Sequence, residues 1–411
     1  MLNENLQGGM AEATRLTRAG RLNEATALIQ RTLGGRTTGS APTSGSWGSP
    51  VSLGATLPTA TATPQISVPG GFDPGVFRTP SARPATARTR APRQTPKRTP
   101  EPITPHSAGR FVSGSYGNEA GTRSYKLYVP SGAVGGVVQP MPLVVMLHGC
   151  TQNPDDFAAG TGMNALAESG NFFVVYPEQS GSANMQRCWN WFQVGDQRRS
   201  QGEPSIIAGI THEVMATQQV DPRRIYVAGM SAGGAMAAIM AATYPGLYAA
   251  AGVHSGLAYG AARDMPSAFR AMKQGAPDAE HGNLHAPGPA GAADLTHPVP
   301  TIVFHGDRDN TVNRRNGEQV LNQWSGAASA SGRATVRKGQ APGGRAYTHS
   351  VYLDVDGSPA AERWILHGAG HAWSGGDPRG SYTDPQGPDA SAEMVRFFLE
   401  HPRRSLSVSA D

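Results

Sequence analysis

Large apolar residues are unevenly distributed along this 411-residue chain. They are scarce between residues 35 and 106 and concentrated after residue 109. Residues 141–147 form a nearly continuous apolar run, which is typical of a strand buried on both faces of a sheet. Three further apolar runs predict strands, at residues 224–228, 300–304 and 363–366. The later part of the chain is therefore long and apolar enough for one large core.

The turn after the strand predicted at residues 224–228 has the sequence GMSAG, residues 229–233. An alanine-rich run, residues 235–242, follows it and favours a helix. A serine between a strand and a helix is the arrangement of the nucleophile elbow, in which a strained turn exposes the serine hydroxyl above an α/β sheet. Glycines on both sides suit a turn with little room for a Cβ atom. We therefore predict Ser231 as a catalytic nucleophile; the alternative is a turn of small residues that only packs against its sheet.

A serine nucleophile needs a general base and a carboxylate that orients the base. In α/β-hydrolases both follow the serine along the chain, the acid first and the histidine last. Asp307 and Asp309 follow one predicted strand, and His367 and His371 follow the next. Composition does not separate the two acids. His371 is favoured as the base because the glycine-rich turn before it can carry its side chain over the serine.

The apolar run at residues 141–147 ends in the sequence HGCTQ, residues 148–152. In α/β-hydrolases a loop at this place donates one backbone N–H of the oxyanion hole, and the residue after the nucleophile donates the other. We predict that the backbone amides of Cys150 and Ala232 are these donors. His148 is expected to brace the loop from beneath rather than to act as a base.

Four spaced motifs together resemble the polyhydroxybutyrate (PHB) depolymerase family of esterases, whose members include relatives of feruloyl and acetyl-xylan esterases. The motifs are HGCTQ at 148–152, CWNWF at 188–192, GMSAG at 229–233 and GHAW at 370–373. This resemblance implies an α/β-hydrolase fold with a doubly wound, mostly parallel sheet, a Ser–Asp–His triad and ester hydrolysis. The hydrolase pattern H-G-x-x-D-x-x-V, at residues 305–312, favours Asp309 over Asp307. The triad it implies is Ser231, Asp309 and His371.

Composition predicts four parts of the chain. Residues 1–34 have the pattern of an amphipathic helical hairpin, which is too small to fold alone. Residues 35–106 are rich in Pro, Thr, Ser and Arg and predict a disordered linker, because they cannot bury enough apolar surface. Residues 107–405 form the predicted catalytic domain. Residues 406–411 are expected to be a disordered tail.

The excess of positive charge lies at the end of the predicted linker. Seven cations occur without an acid between Asp73 and Glu101, namely Arg78, Arg83, Arg88, Arg90, Arg93, Lys97 and Arg98. They exceed the formal net charge of the whole chain, which is +5. Without aromatic platforms or a folded basic face, this segment does not predict nucleic-acid binding. The simpler interpretation is a solvated tether; the functional one is attachment of residues 1–106 to a polymer-granule surface.

The chain contains two cysteines, Cys150 and Cys188, each inside one of the motifs. A disulfide between them would tie the predicted oxyanion loop to the loop that carries Trp189. The alternative is a pair of reduced thiols, as a cytoplasmic location would favour. Two thiols without paired histidines nearby do not form a zinc site. The predicted chemistry requires neither a metal nor a cofactor.

Tryptophans lie close to the predicted catalytic residues in the sequence. Trp189 and Trp191 share one loop, and Trp373 follows His371 by two residues. If exposed, they would bind an apolar or ring-bearing part of a substrate. The alternative is that Trp189 or Trp191 fills the core beneath the site.

The sequence thus predicts a serine carboxylic-ester hydrolase that acts on poly(3-hydroxybutyrate) or related hydroxyalkanoate esters through an acyl-enzyme. The second prediction is a feruloyl or acetyl-xylan type carbohydrate esterase. A prediction from another class is a granule- or partner-binding scaffold with an inert hydrolase fold. No run of 18 apolar residues predicts a membrane span. The lack of a signal-peptide pattern favours a cytoplasmic location, although secretion of many family relatives makes an extracellular location the alternative.

Overall fold

The computed structural model describes residues 109–133, 139–276, 299–330, 334–354 and 357–403, with the side chains of residues 324–330 excepted. All of them fall within the compact unit Lys97–Asp411. The hairpin predicted at residues 1–34, the linker predicted at 35–106 and the tail predicted at 406–411 lie outside the described residues. The boundary proposed near residue 107 therefore stays a prediction.

Ten strands form a single sheet in the described part of the chain, with the order β1-β2-β4-β3-β5-β6-β7-β10-β9-β8. Strands β4, β3, β5, β6, β7 and β10 are parallel, and antiparallel strands extend the sheet at both edges. The strands are β1 Arg110–Asn118, β2 Gly121–Val129, β3 Met141–Leu147, β4 Phe173–Pro177, β5 Val220–Met230, β6 Ala250–His254, β7 Thr301–Gly306, β8 Ala334–Gln340, β9 Ala346–Leu353 and β10 Pro359–Leu366. A separate short pair consists of β11 Trp373–Ser374 and β12 Thr383–Asp384.

Helices cover both faces of this sheet. They are α1 Pro154–Thr161, α2 Met163–Gly170, α3 Gly202–Thr217, α4 Ala232–Thr243, α5 Met265–Gln274, α6 Arg315–Ala330 and α7 Ala390–Glu400. Short 3₁₀ turns occur at Ser131–Ala133 and Val194–Gln197. Among the described residues, no helix combines the length and apolar composition needed to cross a bilayer.

The apolar run of β3 is buried on both faces, as its composition predicted. Leu143, Val145 and Leu147 belong to one core cluster, with the apolar residues of α3 and α4. Val144 and Met146 belong to a second cluster, with residues of α1, α2 and α7. Successive side chains of a strand point to opposite faces, so a strand between two helical layers must be apolar throughout. The doubly wound, mostly parallel sheet predicted from the sequence is confirmed.

Short polar side chains cap three helix starts in the described part of the chain, those of α1, α5 and α7. The side chain of Asn153 accepts a hydrogen bond from the amide of Asp156 at the start of α1, and Asp389 does the same for Ala392 in α7. Such caps satisfy amides that have no partner within the helix. Helix α4 lacks a side-chain cap, and its preceding residue is Ser231. The first turn of α4 therefore leaves backbone amides for another role.

Candidate active site

Ser231 lies at the turn between β5 and α4, in a backbone conformation that non-glycine residues rarely adopt. Its φ is 57° and its ψ is −120°. The amide of Ser231 donates to the carbonyl oxygen of His254 at 2.9 Å, which holds the strained turn against β6. A residue kept at positive φ against its steric preference is typical of a functional turn.

The flanking glycines leave room for this turn. A Cβ atom at Gly229 would overlap the backbone of Gly233, and one at Gly233 would overlap the carbonyl oxygens of Leu147 and His148. Neither glycine has a positive φ. The two glycines are therefore needed for close packing of the turn on the end of β3, while the unusual φ falls on the serine itself.

Asp309 and His371 form a buried pair at the ends of β7 and β10. His371 Nδ1 lies 2.7 Å from Asp309 Oδ2, and the Asp309 side chain is 0% exposed. The other carboxylate oxygen accepts from the amides of Thr311 and Val312, at 2.9 and 2.8 Å. Burial alone would raise the pKa of Asp309, but the hydrogen bond and charge of His371 and the Val312 amide lower it below its usual value. Asp309 is thus held as a carboxylate that orients the His371 ring.

Asp307 and His367 form a second pair with each other. His367 Nδ1 lies 2.9 Å from Asp307 Oδ2, and the amide of Gly368 donates to Asp307 Oδ1 at 2.7 Å. His367 Nε2 lies 2.9 Å from the hydroxyl of Thr348 on β9. The two candidate acids therefore have different histidine partners. Asp309 contacts His371, and Asp307 contacts His367.

The loop after β3 lies beside Ser231. A Cβ atom placed on Gly149 would be 3.5 Å from the Cβ of Ser231, and Gly149 itself donates to the side chain of Gln152 at 2.9 Å. In the described part of the chain, the amides of Cys150 and Ala232 donate to no protein acceptor. Backbone amides without a protein acceptor, close in sequence or in space to a serine, are the kind of donor that an oxyanion hole uses.

His148 braces this loop from below, as expected from its place at the end of β3. It is buried, its Nδ1 lies 2.8 Å from the carbonyl oxygen of Gly149, and its Nε2 accepts from the amide of Gln179 at 3.1 Å. Burial lowers the pKa of His148 to about 4. A neutral ring with both nitrogens occupied is not available as a general base.

Cys150 and Cys188 form a disulfide in this structure, with their Cα atoms 4.2 Å apart. The bridge joins the loop after β3 to the loop that carries Trp189. Gln179 adds a second connection, because its side-chain nitrogen donates to the carbonyl oxygen of Cys188 at 2.9 Å and its backbone amide donates to His148 Nε2 at 3.1 Å. The loop after β3 is therefore joined to the loop that carries Trp189 by a covalent bond and through Gln179.

A carboxylate that the sequence did not predict, Glu203, is buried close to this loop. Glu203 accepts from the backbone and side chain of Asn190, at 2.7 and 2.9 Å, from Gln179, and from Arg123 at 3.3 Å. Burial and the neighbouring Asp196 raise the pKa of Glu203 to about 7. No motif marks Glu203; its one signal is an acid in the first turn of a helix whose next residues are largely apolar.

The three tryptophans that were expected to bind substrate if exposed are buried, and for Trp189 and Trp191 the structure agrees with the alternative that they fill the core. Trp189, Trp191 and Trp373 are 0%, 6% and 1% exposed. Trp189 lies beside the buried His148 ring at 5.8 Å, and Trp191 packs edge-on against Phe192 at 5.7 Å. These rings fill the core beneath the loops. Each has a large apolar surface, and removing that surface from water stabilises the fold. None of the three offers an open surface for substrate.

Trp373 is buried for an additional reason. Its ring packs edge-on against Phe157 at 5.5 Å, and its Nε1 donates to Ser391 Oγ at 3.1 Å. A tryptophan whose polar nitrogen has a partner can be buried completely. Trp373 therefore anchors the segment that follows His371 instead of contacting substrate.

Sheet order, helix layers and the strand–serine–helix turn together define the class of this protein, an α/β-hydrolase fold. The chain belongs to the esterase PHB depolymerase family, because the model of that family matches residues 123–340, more than half of the chain. The resemblance noted from the sequence motifs is thereby confirmed. This is a family of carboxylic ester hydrolases.

Known proteins with similar sequences are named depolymerases or esterases. Poly(3-hydroxyalkanoate) depolymerase C of Paucimonas lemoignei is 36% identical over 260 residues, which is 62% of this chain and 60% of that protein. Feruloyl esterase B of Neurospora crassa is 31% identical over 225 residues, 52% of this chain and 73% of that protein. Among solved structures, the acetyl xylan esterase from Aspergillus awamori matches with a TM-score of 0.54 at 20% identity, over 70% of this chain and 99% of that one. The structural likeness supports the fold.

Proposed function

We propose that this protein is a serine carboxylic-ester hydrolase with Ser231, Asp309 and His371 as its catalytic triad. The proposal rests mainly on the buried Asp309–His371 pair, 2.7 Å apart, in a hydrolase-family fold whose β5–α4 turn holds a serine at a φ of 57°. A carboxylate that fixes a histidine is the part of the triad that sets the ring's orientation and tautomer. With its Nδ1 on Asp309, His371 has Nε2 left to accept a proton.

The proposed reaction has two steps. His371 Nε2 takes the proton of Ser231 as Oγ attacks the ester carbonyl carbon, and the tetrahedral oxyanion accepts hydrogen bonds from the amides of Cys150 and Ala232. The C–O bond to the alcohol then breaks, and the alcohol leaves with the proton from His371. Water then attacks the acyl carbon as His371 takes its proton, the bond between that carbon and Ser231 Oγ breaks, and His371 returns the proton to Oγ as the acid leaves. No other reactant is needed for either step.

As substrate we propose poly(3-hydroxybutyrate) or related hydroxyalkanoate esters. The relative that is 36% identical is named a poly(3-hydroxyalkanoate) depolymerase. Exposed apolar side chains also flank the predicted oxyanion loop: Met185 is 84% exposed and Tyr382 is 47% exposed. The amide of Thr151 donates to Gln186, next to Met185, at 2.6 Å, and the Thr151 hydroxyl lies 3.1 Å from the Tyr382 hydroxyl. An apolar rim beside the loop suits an extended, weakly polar acyl chain.

The alternative substrate is a feruloyl or acetyl ester of a carbohydrate, supported by the relative named feruloyl esterase B at 31% identity. Turnover should be compared on para-nitrophenyl butyrate, 3-hydroxybutyrate oligomers, methyl ferulate and acetylated xylan, with Ser231→Ala as the control. A preference for the oligomers in kcat/KM is the expected result. A preference for methyl ferulate or acetylated xylan would favour the alternative. If the folded wild-type chain hydrolysed none of the four, the protein would be a scaffold with an inert hydrolase fold.

We also propose that residues 1–106 attach the catalytic domain to a polymer surface and take no part in the chemistry. The support is the amphipathic pattern of residues 1–34 and the seven cations between Asp73 and Glu101. A chain starting at Ser107 should keep its turnover of para-nitrophenyl butyrate but pellet less with native polymer granules than the full chain. High salt should reduce that difference, because it screens exposed charges. Equal pelleting of both chains would leave residues 1–106 as a spacer.

A further inference from the structure

His254, at the end of β6, connects the serine turn with the segment that follows His371. Its carbonyl oxygen accepts the amide hydrogen of Ser231 at 2.9 Å. Its ring Nε2 accepts the amide hydrogen of Ser374 at 3.0 Å. Ser374 is three residues beyond His371. One fully buried residue therefore contacts the backbone beside both the proposed nucleophile and the proposed base.

The His254 ring also lies between two aromatic rings. It stacks on Phe304 of β7, with the ring centroids 5.7 Å apart and an interplanar angle of 8°. On Trp373 it stacks at 5.0 Å and 23°. Phe304 belongs to the strand that leads to Asp309, and Trp373 follows His371 by two residues. The ring thus contacts the elements that carry the acid and the base.

The protonation state of His254 follows from its partners. Since Nε2 accepts a backbone N–H, the ring proton is on Nδ1, which lies 3.2 Å from the hydroxyl oxygen of Ser255. Burial, with smaller contributions from His305 and His371, lowers the pKa of His254 to about 3. A neutral ring in one tautomer is a fixed hydrogen-bond acceptor for the segment after His371.

We propose that His254 is a positioning residue, whose ring acceptor holds the 371–374 segment at a fixed distance from the Ser231 turn. This inference rests on the proposed triad, because the distance matters only if His371 must reach Ser231. His254 contacts no reacting atom, so it acts through the backbone of Ser374. Misplacing a base by about 1 Å is enough to slow proton transfer on the order of 100-fold.

Two substitutions at His254 distinguish its role as a hydrogen-bond acceptor from its role as an aromatic ring in the core. His254→Phe keeps an aromatic ring between Phe304 and Trp373 but removes the acceptor of the Ser374 amide. His254→Gln loses the ring but retains an oxygen that can reach that amide. Thr211→Val is the control, because it removes a buried hydrogen bond, 3.0 Å long, to Tyr248 in a part of the core without triad residues.

The readout is kcat on para-nitrophenyl butyrate per active serine titrated with a fluorophosphonate, so that unfolded molecules do not count. We expect His254→Phe to lower this kcat on the order of tenfold with KM nearly unchanged, as for the loss of one buried hydrogen bond. His254→Gln should recover most of the loss. Thr211→Val should lower the melting temperature and leave kcat per titrated site as in the wild type.

Amide exchange of Ser374, measured by hydrogen–deuterium exchange, gives a second readout that does not depend on activity. It should be faster in His254→Phe and slow again in His254→Gln. Wild-type kcat per site in His254→Phe, equal impairment of both variants, or unchanged Ser374 exchange would each overturn the proposal. If the wild-type serine takes no label, the proposed function fails, while the exchange measurement still tests whether His254 holds the segment.

Discussion

Two aspartate–histidine pairs lie close together in this molecule, and only one of them is part of the proposed triad. Asp309–His371 is buried, with side-chain exposures of 0% and 13%, whereas Asp307–His367 is half-exposed, with 26% and 41%. Their nitrogen–oxygen distances are similar, 2.7 and 2.9 Å. Each pair is assembled from the same two loops. The pairing of a carboxylate with an imidazole therefore does not by itself define a catalytic centre.

The two pairs differ in the hydroxyl group assigned to each histidine, which is Ser231 for His371 in the proposed triad and Thr348 for His367. Thr348, 2.9 Å from His367 Nε2, is in the middle of β9, paired with Lys338 of β8 and Ile365 of β10. Its neighbouring backbone amides belong to sheet ladders, so they are not free to bind an oxyanion. Ser231 instead precedes a helix whose first amide has no acceptor in the described part of the chain. A hydroxyl–imidazole–carboxylate array needs free amide donors beside it to stabilise the transition state.

The largest expected effect is on kcat, and it distinguishes the Ser231 hydroxyl from the Thr348 hydroxyl. Ser231→Ala should lower kcat on para-nitrophenyl butyrate by roughly 10⁴-fold or more, because it removes the nucleophile. Thr348→Val should change kcat less than about twofold, the range of a surface substitution. Steady-state kinetics on folded variants, checked by circular dichroism, would test both. Equal losses from the two substitutions would mean that the exposed array takes part in catalysis.

The next largest effect on kcat distinguishes Asp309 from Asp307. Asp309→Asn should lower kcat by about 10⁴-fold, because the amide no longer holds His371 in the tautomer that accepts the serine proton. Asp307→Asn should cost less than about threefold, since its partner His367 touches no proposed catalytic atom. The measurement is kcat at a pH near 8, with both variants at matched folded concentration. A reversed order would show that Asp307 is the triad acid.

The sequence was sufficient to predict the Ser231 turn and the central strands, because those depend on short runs of residues. The turn is built from five consecutive residues, and β3 has the bounds that its apolar run predicted. The choice between Asp307 and Asp309 as the triad acid could not be made from a short run of residues alone. Composition left both open, and only the hydrolase pattern at residues 305–312 favoured Asp309.

The buried tryptophans and the contacts of Glu203 and His254 could not be predicted in the same way. Trp373 is buried because Phe157, His254 and Ser391 surround it, and these residues are far from it in sequence or lie in other elements. His254 is one polar residue at the end of an apolar strand. A single residue of this kind forms no repeating pattern from which its contacts could be predicted. Its two partners, Ser231 and Ser374, come together only through the strand order of the finished sheet.

The smallest expected effect concerns acid stability, and it compares the two aspartates once more. Burial by itself would raise the pKa of each aspartate. Hydrogen bonds from the partner histidine and from a backbone amide have the larger effect, so folding lowers the pKa of both aspartates below the ordinary 3.8. A carboxyl of this kind stabilises the fold above its unfolded pKa, and that contribution is lost as the pH falls through the lowered folded value. Urea unfolding of the wild type, Asp307→Asn and Asp309→Asn should be compared at pH 5 and below pH 3. The stability gap between the wild type and Asp309→Asn should shrink on acidification, and by more than the gap for Asp307→Asn, because solvent screens the half-exposed pair. A gap for Asp309→Asn that stayed constant with pH would show that its pairing with His371 does not stabilise the fold.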